Sequence, residues 1–112
     1  MQLNFSVIIA TYNSEKWIGA CLDSLVSQNV GFEKNIEIIV VDDCSCDNTK
    51  SLCLKWAEKY PDNIKFIEKE THSGPGMTRN VGLKHARGKY VNFLDSDDYV
   101  SRKTFKEVLN FF

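Results

Sequence analysis

Four short apolar runs alternate along the chain with segments whose apolar side chains return every three or four positions. Phe5 to Ala10 is rich in β-branched residues and predicts a buried strand. Ile36 to Val41 predicts a second, Ile64 to Ile67 a third and shorter one, and Tyr90 to Leu94 a fourth. Between them lie helical patterns. Trp17, Ile18, Cys21, Leu22, Leu25 and Val26 form one apolar face behind a Ser14 cap. Leu52, Cys53, Trp56, Ala57 and Tyr60 form another, capped by Asp47 or Asn48 and stopped by Pro61. Gly74, Pro75 and Gly76 predict a loop, then a helix from Met77 to Ala86 that ends near Gly88. Ser101 caps a last helix with Phe105, Val108, Leu109 and Phe112 on one side.

This alternation predicts an α/β fold, a mainly parallel sheet of about four strands with helices on both faces. Such sheets bind ligands at the carboxyl ends of their strands, where strand order reverses. Three polar clusters fall at those ends: Thr11, Tyr12 and Asn13; Asp42, Asp43, Cys44 and Ser45; Asp95, Ser96, Asp97 and Asp98. Residues 1–112 read as one domain, without repeats, low-complexity tracts or a linker.

Composition narrows the partners. The net charge of -1 gives no overall attraction for nucleic acid or an anionic membrane, so anion binding must be local. No apolar run reaches the roughly 18 residues of a membrane span. Met1 to Phe5 lacks the basic and apolar parts of a signal peptide, so the chain reads as cytoplasmic, or peripheral at the inner membrane face in a longer form. Cys21, Cys44, Cys46 and Cys53 then read as reduced. The one-residue gap between Cys44 and Cys46 suits neither a disulfide nor a zinc knuckle.

The end clusters carry the candidate chemistry. Asp95, Asp97 and Asp98 repel one another, which a hard divalent cation such as Mg²⁺ or Mn²⁺ would relieve. The competing reading is a solvated acidic turn. Asp42 and Asp43 end an apolar strand, where a carboxylate can accept from a base or ribose; a helix-capping role is the alternative for one of them. Arg79 stands near a predicted helix start, where the dipole gives a cation nothing, and so points to an anion or a carboxylate partner; an exposed arginine is the alternative. Gly82 permits close packing of helix on sheet. The phosphate-loop, dinucleotide-fingerprint and nucleophile-elbow patterns are absent.

The segments Ser6-Val7-Ile8-Ile9-Ala10-Thr11-Tyr12-Asn13, Val40-Val41-Asp42-Asp43-Cys44-Ser45-Cys46-Asp47-Asn48-Thr49, Gly74-Pro75-Gly76-Met77-Thr78-Arg79-Asn80-Val81-Gly82-Leu83 and Gly88-Lys89-Tyr90-Val91-Asn92-Phe93-Leu94-Asp95-Ser96-Asp97-Asp98 closely resemble family 2 glycosyltransferases of the GT-A fold. The resemblance implies the Rossmann-like nucleotide-binding half of that fold. It also implies a nucleotide-diphospho-sugar donor, most often a UDP-sugar, and inverting transfer to a sugar or lipid-linked acceptor. Thr11, Tyr12 and Asn13 would line the nucleotide pocket, with Tyr12 near the uracil. Asp43 would accept from the base N3–H, and Arg79 would help hold the nucleotide. Asp95 and Asp97 would form the Asp-x-Asp pair, Asp95 toward the ribose and Asp97 toward a Mn²⁺ or Mg²⁺ ion, with Asp98 supporting them.

Two departures stand out. Cys44 replaces a frequent glycine, and a positive φ there would strain it. The general base of the family would lie beyond Phe112, so no catalytic residue is assigned and the chain reads as the donor-binding portion, cut before the acceptor region. The alternative is a non-catalytic nucleotide-binding or interaction module, dimerising through an exposed sheet edge or the apolar last helix. A phosphate-accepting receiver domain is disfavoured, because Glu68 and Lys69 stand where its aspartate would be.

Overall fold

The computed structural model describes residues 3–28 and 31–111. Its elements follow the sequence in order: β1 Phe5–Thr11, α1 Ile18–Val26, a short α2 Phe32–Asn35, β2 Ile36–Asp42, α3 Thr49–Lys59, β3 Ile64–Glu68, α4 Pro75–Leu83, β4 Tyr90–Asp95 and α5 Thr104–Phe111. All four predicted strands form, and each is one residue longer at its carboxyl end. The sheet is parallel throughout, in the order β3-β2-β1-β4. The predicted α/β architecture is therefore the observed one.

Alternation along the central strands sorts the core into two layers. Phe5, Val7 and Ile9 of β1 and Ile36, Ile38 and Val40 of β2 are fully buried against Ile18, Cys21, Leu22 and Leu25 of α1, Cys53 of α3 and Phe105 of α5. The opposite face is covered by α4, which packs on β1 and β2. Gly82 makes that contact possible: a Cβ there would stand 2.5 Å from Ile8 Cγ2 and 3.2 Å from Val41 Cγ2. Gly82→Ala should therefore cost about 1–3 kcal/mol by overpacking. The check is a lower urea midpoint at an unchanged m value; an unaltered midpoint would show that α4 is free to move outward.

Two expectations about helix starts are corrected. The helix expected from Met77 begins at Pro75 and ends at Leu83, because proline at N1 gives up an amide that has no helical partner and Gly74 supplies the turn with φ 89°. Ser14 does not cap α1 with its side chain. Its carbonyl accepts from the amides of Trp17 and Ile18, and the helix starts after that turn. Trp17 consequently leaves the apolar face and is 49% exposed. The last predicted helix is present with Phe105 buried and Val108 partly so, while the side chains of Leu109 and Phe112 fall outside those described.

A polar clamp holds the amino end of the sheet. Glu37 is buried and accepts from Ser6 Oγ at 2.6 Å, from the Arg87 amide at 2.6 Å and from Arg87 Nε at 3.1 Å. Burial pushes its carboxyl upward, but these donors outweigh that effect and hold it below the usual glutamate range. The carboxyl ends of the strands are left to carry the site.

Candidate functional site

Register decides which polar ends meet. Thr11 lies level with Asp42, and Ala10 with Asp95, so the ends of β1, β2 and β4 form one rim. Strand order reverses at β1, the position where parallel sheets open a crevice. A cleft of about 460 Å³ occupies it. Thr11, Tyr12, Asp43, Arg79, Asp95 and Asp97 all line this cleft.

Asp43 forms one end. Its side chain is 4% exposed. Oδ1 accepts from Lys69 Nζ at 2.9 Å and the Ser73 amide at 3.0 Å. Oδ2 accepts from the Gly74 amide at 2.9 Å and faces His72 Nδ1 at 2.8 Å. Burial would raise the Asp43 acid, but the Lys69 ammonium and the two amides outweigh it and hold it at about 2. Asp43 thus fastens the β3–α4 loop to the end of β2. Asp42 is the structural member of the pair: buried outside the cleft lining, it accepts from Thr11 Oγ1 at 2.8 Å and the Ser45 amide at 2.9 Å.

The first strand end divides its roles. Thr11 is buried with its hydroxyl committed to Asp42, whereas the Tyr12 ring is 51% exposed over the cleft. Asn13 does not line the cleft. With φ at 51°, it accepts from the Cys46 amide at 2.7 Å through Oδ1, and its own amide donates to Ser45 Oγ at 2.8 Å. It ties the β1 end to the 44–46 loop. In that loop Cys44 takes φ 69°, the left-handed geometry in which a non-glycine residue is strained by roughly 1–2 kcal/mol.

The acidic end comes from β4. Arg79, the fifth residue of α4 and not in its first turn as expected, donates through Nη2 to Asp95 Oδ1 at 2.9 Å, so a carboxylate partner is present although the dipole argument for it does not apply. Asp95, Asp97 and Asp98 are exposed and can each offer a carboxylate oxygen within 4.8 Å of the others. Their field reaches inward: burial pushes the Cys21 thiol up to about 12, with Asp98, Asp97 and Asp95 adding to the rise. An all-oxygen, strongly negative donor set with exposed positions fits a hard divalent ion that keeps sites for other oxygen ligands. Asp98 takes part in this group but does not line the cleft.

Several lining residues escaped sequence reasoning. Helical spacing places Trp17 in the core, yet it is exposed and lines the cleft. Ser14 and Ser96 meet across the cleft floor, hydroxyl to hydroxyl, at 2.7 Å. His72 also lines the cleft, and together with Lys69, which stands behind the lining, it converges on Asp43 across 29 and 26 residues. The available signal was Lys69 itself, a cation directly after β3 and therefore on the same sheet edge as Asp43.

The family described as Glycosyl transferase family 2 matches residues 6–112. The chain is 46% identical over 109 residues to the minor teichoic acid biosynthesis protein GgaB of Bacillus subtilis, covering 97% of this chain and 12% of GgaB. It is similar to the solved structure of Staphylococcus aureus TarS residues 1–349 in complex with UDP-GlcNAc, at TM-score 0.90 and 46% identity, covering 97% of this chain and 31% of that one. It is also similar to the mannosyltransferase PcManGT from Pyrobaculum calidifontis in complex with GDP-Man and Mn²⁺, at TM-score 0.85 and 32% identity, covering 97% and 32%. The chain therefore spans a third or less of the length of these relatives.

Proposed function

Because this chain belongs to glycosyl transferase family 2, we propose that its cleft binds a nucleoside diphosphate sugar, most simply a UDP-sugar, as the donor for inverting glycosyl transfer. The observation that carries this reading is the polarity of the cleft. Tyr12 and Asp43 make one end aromatic and hydrogen-bonding, while Asp95 and Asp97 make the other acidic. A nucleotide sugar is aromatic at its base and polyanionic at its diphosphate. The base end offers an aromatic face and a carboxylate acceptor; the diphosphate fits an acidic end only when a cation stands between them.

Within this reading Tyr12 stacks on the base and Asp43 accepts from its N3–H. Thr11 shapes the floor through Asp42. Asn13 contributes by holding the 44–46 loop. Arg79 and Asp95 lie toward the ribose, and Asp97, with Asp95 and support from Asp98, would hold Mn²⁺ or Mg²⁺. When bound, such an ion supplies Lewis-acid stabilisation of the charge that grows on the leaving diphosphate. Arg79 keeps Asp95 oriented, and the buried Asp43 keeps the loop that walls the base end in place. No general base is assigned among the described residues. The names of two relatives, a teichoic acid biosynthesis protein and a poly(ribitol-phosphate) beta-N-acetylglucosaminyltransferase, support a surface-polymer acceptor of the polyol-phosphate kind.

Titration calorimetry with UDP, with and without Mn²⁺, tests the donor site. Saturable binding that weakens at least about tenfold on metal removal is expected. A folded sample with no affinity for UDP in either condition would sink the reading.

A further inference from the structure

The base end of the cleft is already occupied by one of the protein's own side chains. A carboxylate offers about four acceptor positions, and Asp43 uses all of them on Lys69, Ser73, Gly74 and His72. Three of these partners are built in. The amides of Ser73 and Gly74 set the entry into α4. Lys69 is 11% exposed, and its three ammonium protons face Asp43, Ser73 Oγ and Thr78 Oγ1. His72 differs from them in being 57% exposed. Its Nδ1 stands 2.8 Å from Asp43 Oδ2 and 3.1 Å from the Asp43 carbonyl oxygen. Two acceptors at one ring nitrogen require that nitrogen to carry the proton. The same imidazole lies against the Tyr12 ring, with centroids 4.7 Å apart. One side chain therefore covers both an acceptor oxygen of Asp43 and a face of Tyr12.

We infer that His72 is a gate over the base subsite, a positioning residue that a nucleobase must displace before it can hydrogen-bond to Asp43 and stack on Tyr12. The inference rests on the donor-site reading above. Displacement is feasible because His72 gives up one hydrogen bond and one ring contact while Lys69 and the two amides keep the loop in place. The cost is that of one part-buried donor shared between two oxygens of Asp43 and one ring contact, so the gate lowers base affinity without closing the site. It also makes the diphosphate end independent of His72, since no contact joins His72 to Asp95 or Asp97 among the described residues.

The test compares wild type with His72→Ala in Mn²⁺-containing buffer, using UDP and inorganic pyrophosphate as probes. His72 is exposed on a loop, so the variant keeps the fold; circular dichroism verifies this. His72→Ala should bind UDP about threefold to tenfold more tightly and bind pyrophosphate as wild type does. In the wild type, the His72 imidazole resonances should move on adding UDP and stay in place on adding pyrophosphate. Equal or weaker UDP binding by the variant overturns the gate, as does an equal gain for pyrophosphate. If UDP binds neither protein, the donor-site reading falls and the gate with it; UDP binding to wild type with no gain in the variant removes the gate alone.

Discussion

Asp43→Ala is expected to remove about 3–5 kcal/mol of folding stability, the cost of breaking a buried pair from one side. Lys69 would lose its counter-charge while keeping only hydroxyl partners, and the amides of Ser73 and Gly74 would lose their acceptor. The start of α4 would then be unfastened from β2. Chemical denaturation measures the loss, and a change below about 1 kcal/mol would show that the loop is held by other contacts. Asp43→Asn separates charge from shape. It keeps one acceptor oxygen but sets an NH₂ donor against donors. The pH dependence follows from the depressed acid of Asp43, about 2 against an ordinary 3.8. A lowered folded-state value means that the carboxylate stabilises the fold above the unfolded value. That stabilisation is lost as pH falls from about 4 through about 2. Wild type should therefore lose stability over that window, and Asp43→Asn should lose less. Equal slopes for the two proteins would refute the assignment.

Asp97→Asn should leave the fold intact and remove the metal-dependent part of UDP binding. Asp97 is exposed and lines the cleft, so its replacement deprives no buried group of a partner. The three-carboxylate group would fall to two, one of which is already paired with Arg79. A loss of about a hundredfold in UDP affinity with Mn²⁺ present, about 2.7 kcal/mol, is expected, with little change when metal is absent. Asp98→Asn should cost less, because Asp98 stands outside the cleft lining. If Asp98→Asn removed the metal effect while Asp97→Asn kept it, the ion would belong at Asp98. The two predictions act at opposite ends of one cleft. Asp43 works through folding of the loop that walls the base end. Asp97 works through charge at the diphosphate end.

Much of this arrangement was legible in the chain. The four strands follow from continuous apolar runs, and their polar ends mark the rim before any topology is known. Arg79 stands out as a cation near a helix start only if the helix begins at Met77; α4 begins at Pro75, so Arg79 is mid-helix and the tertiary structure, not the dipole, gives it its partner. Asp95 answers it from 16 residues away. Other features were hidden. Helical spacing places Trp17 in the core, because spacing cannot see that the Ser14 carbonyl closes a turn and delays the helix. Asn13 belongs by motif to the nucleotide pocket, yet its side chain is taken by the 44–46 loop. The saturation of Asp43 was invisible for the same reason. All four of its donors come from a loop whose approach depends on the pairing of β2 with β3.

The order of elements, the faces they bury and the carboxylates at strand ends are written into the chain. Those follow from hydrophobic period and turn chemistry, which act between near neighbours. Folding of the whole chain sets β1 between β2 and β4 and so brings Asp43 and Asp95 to one cleft. It also decided that Lys69 would neutralise Asp43, and that His72 would stand over both Asp43 and Tyr12. These contacts link positions 26 and more residues apart. They are set by strand register and by the burial of a charge that has to find a partner, and no local pattern contains either.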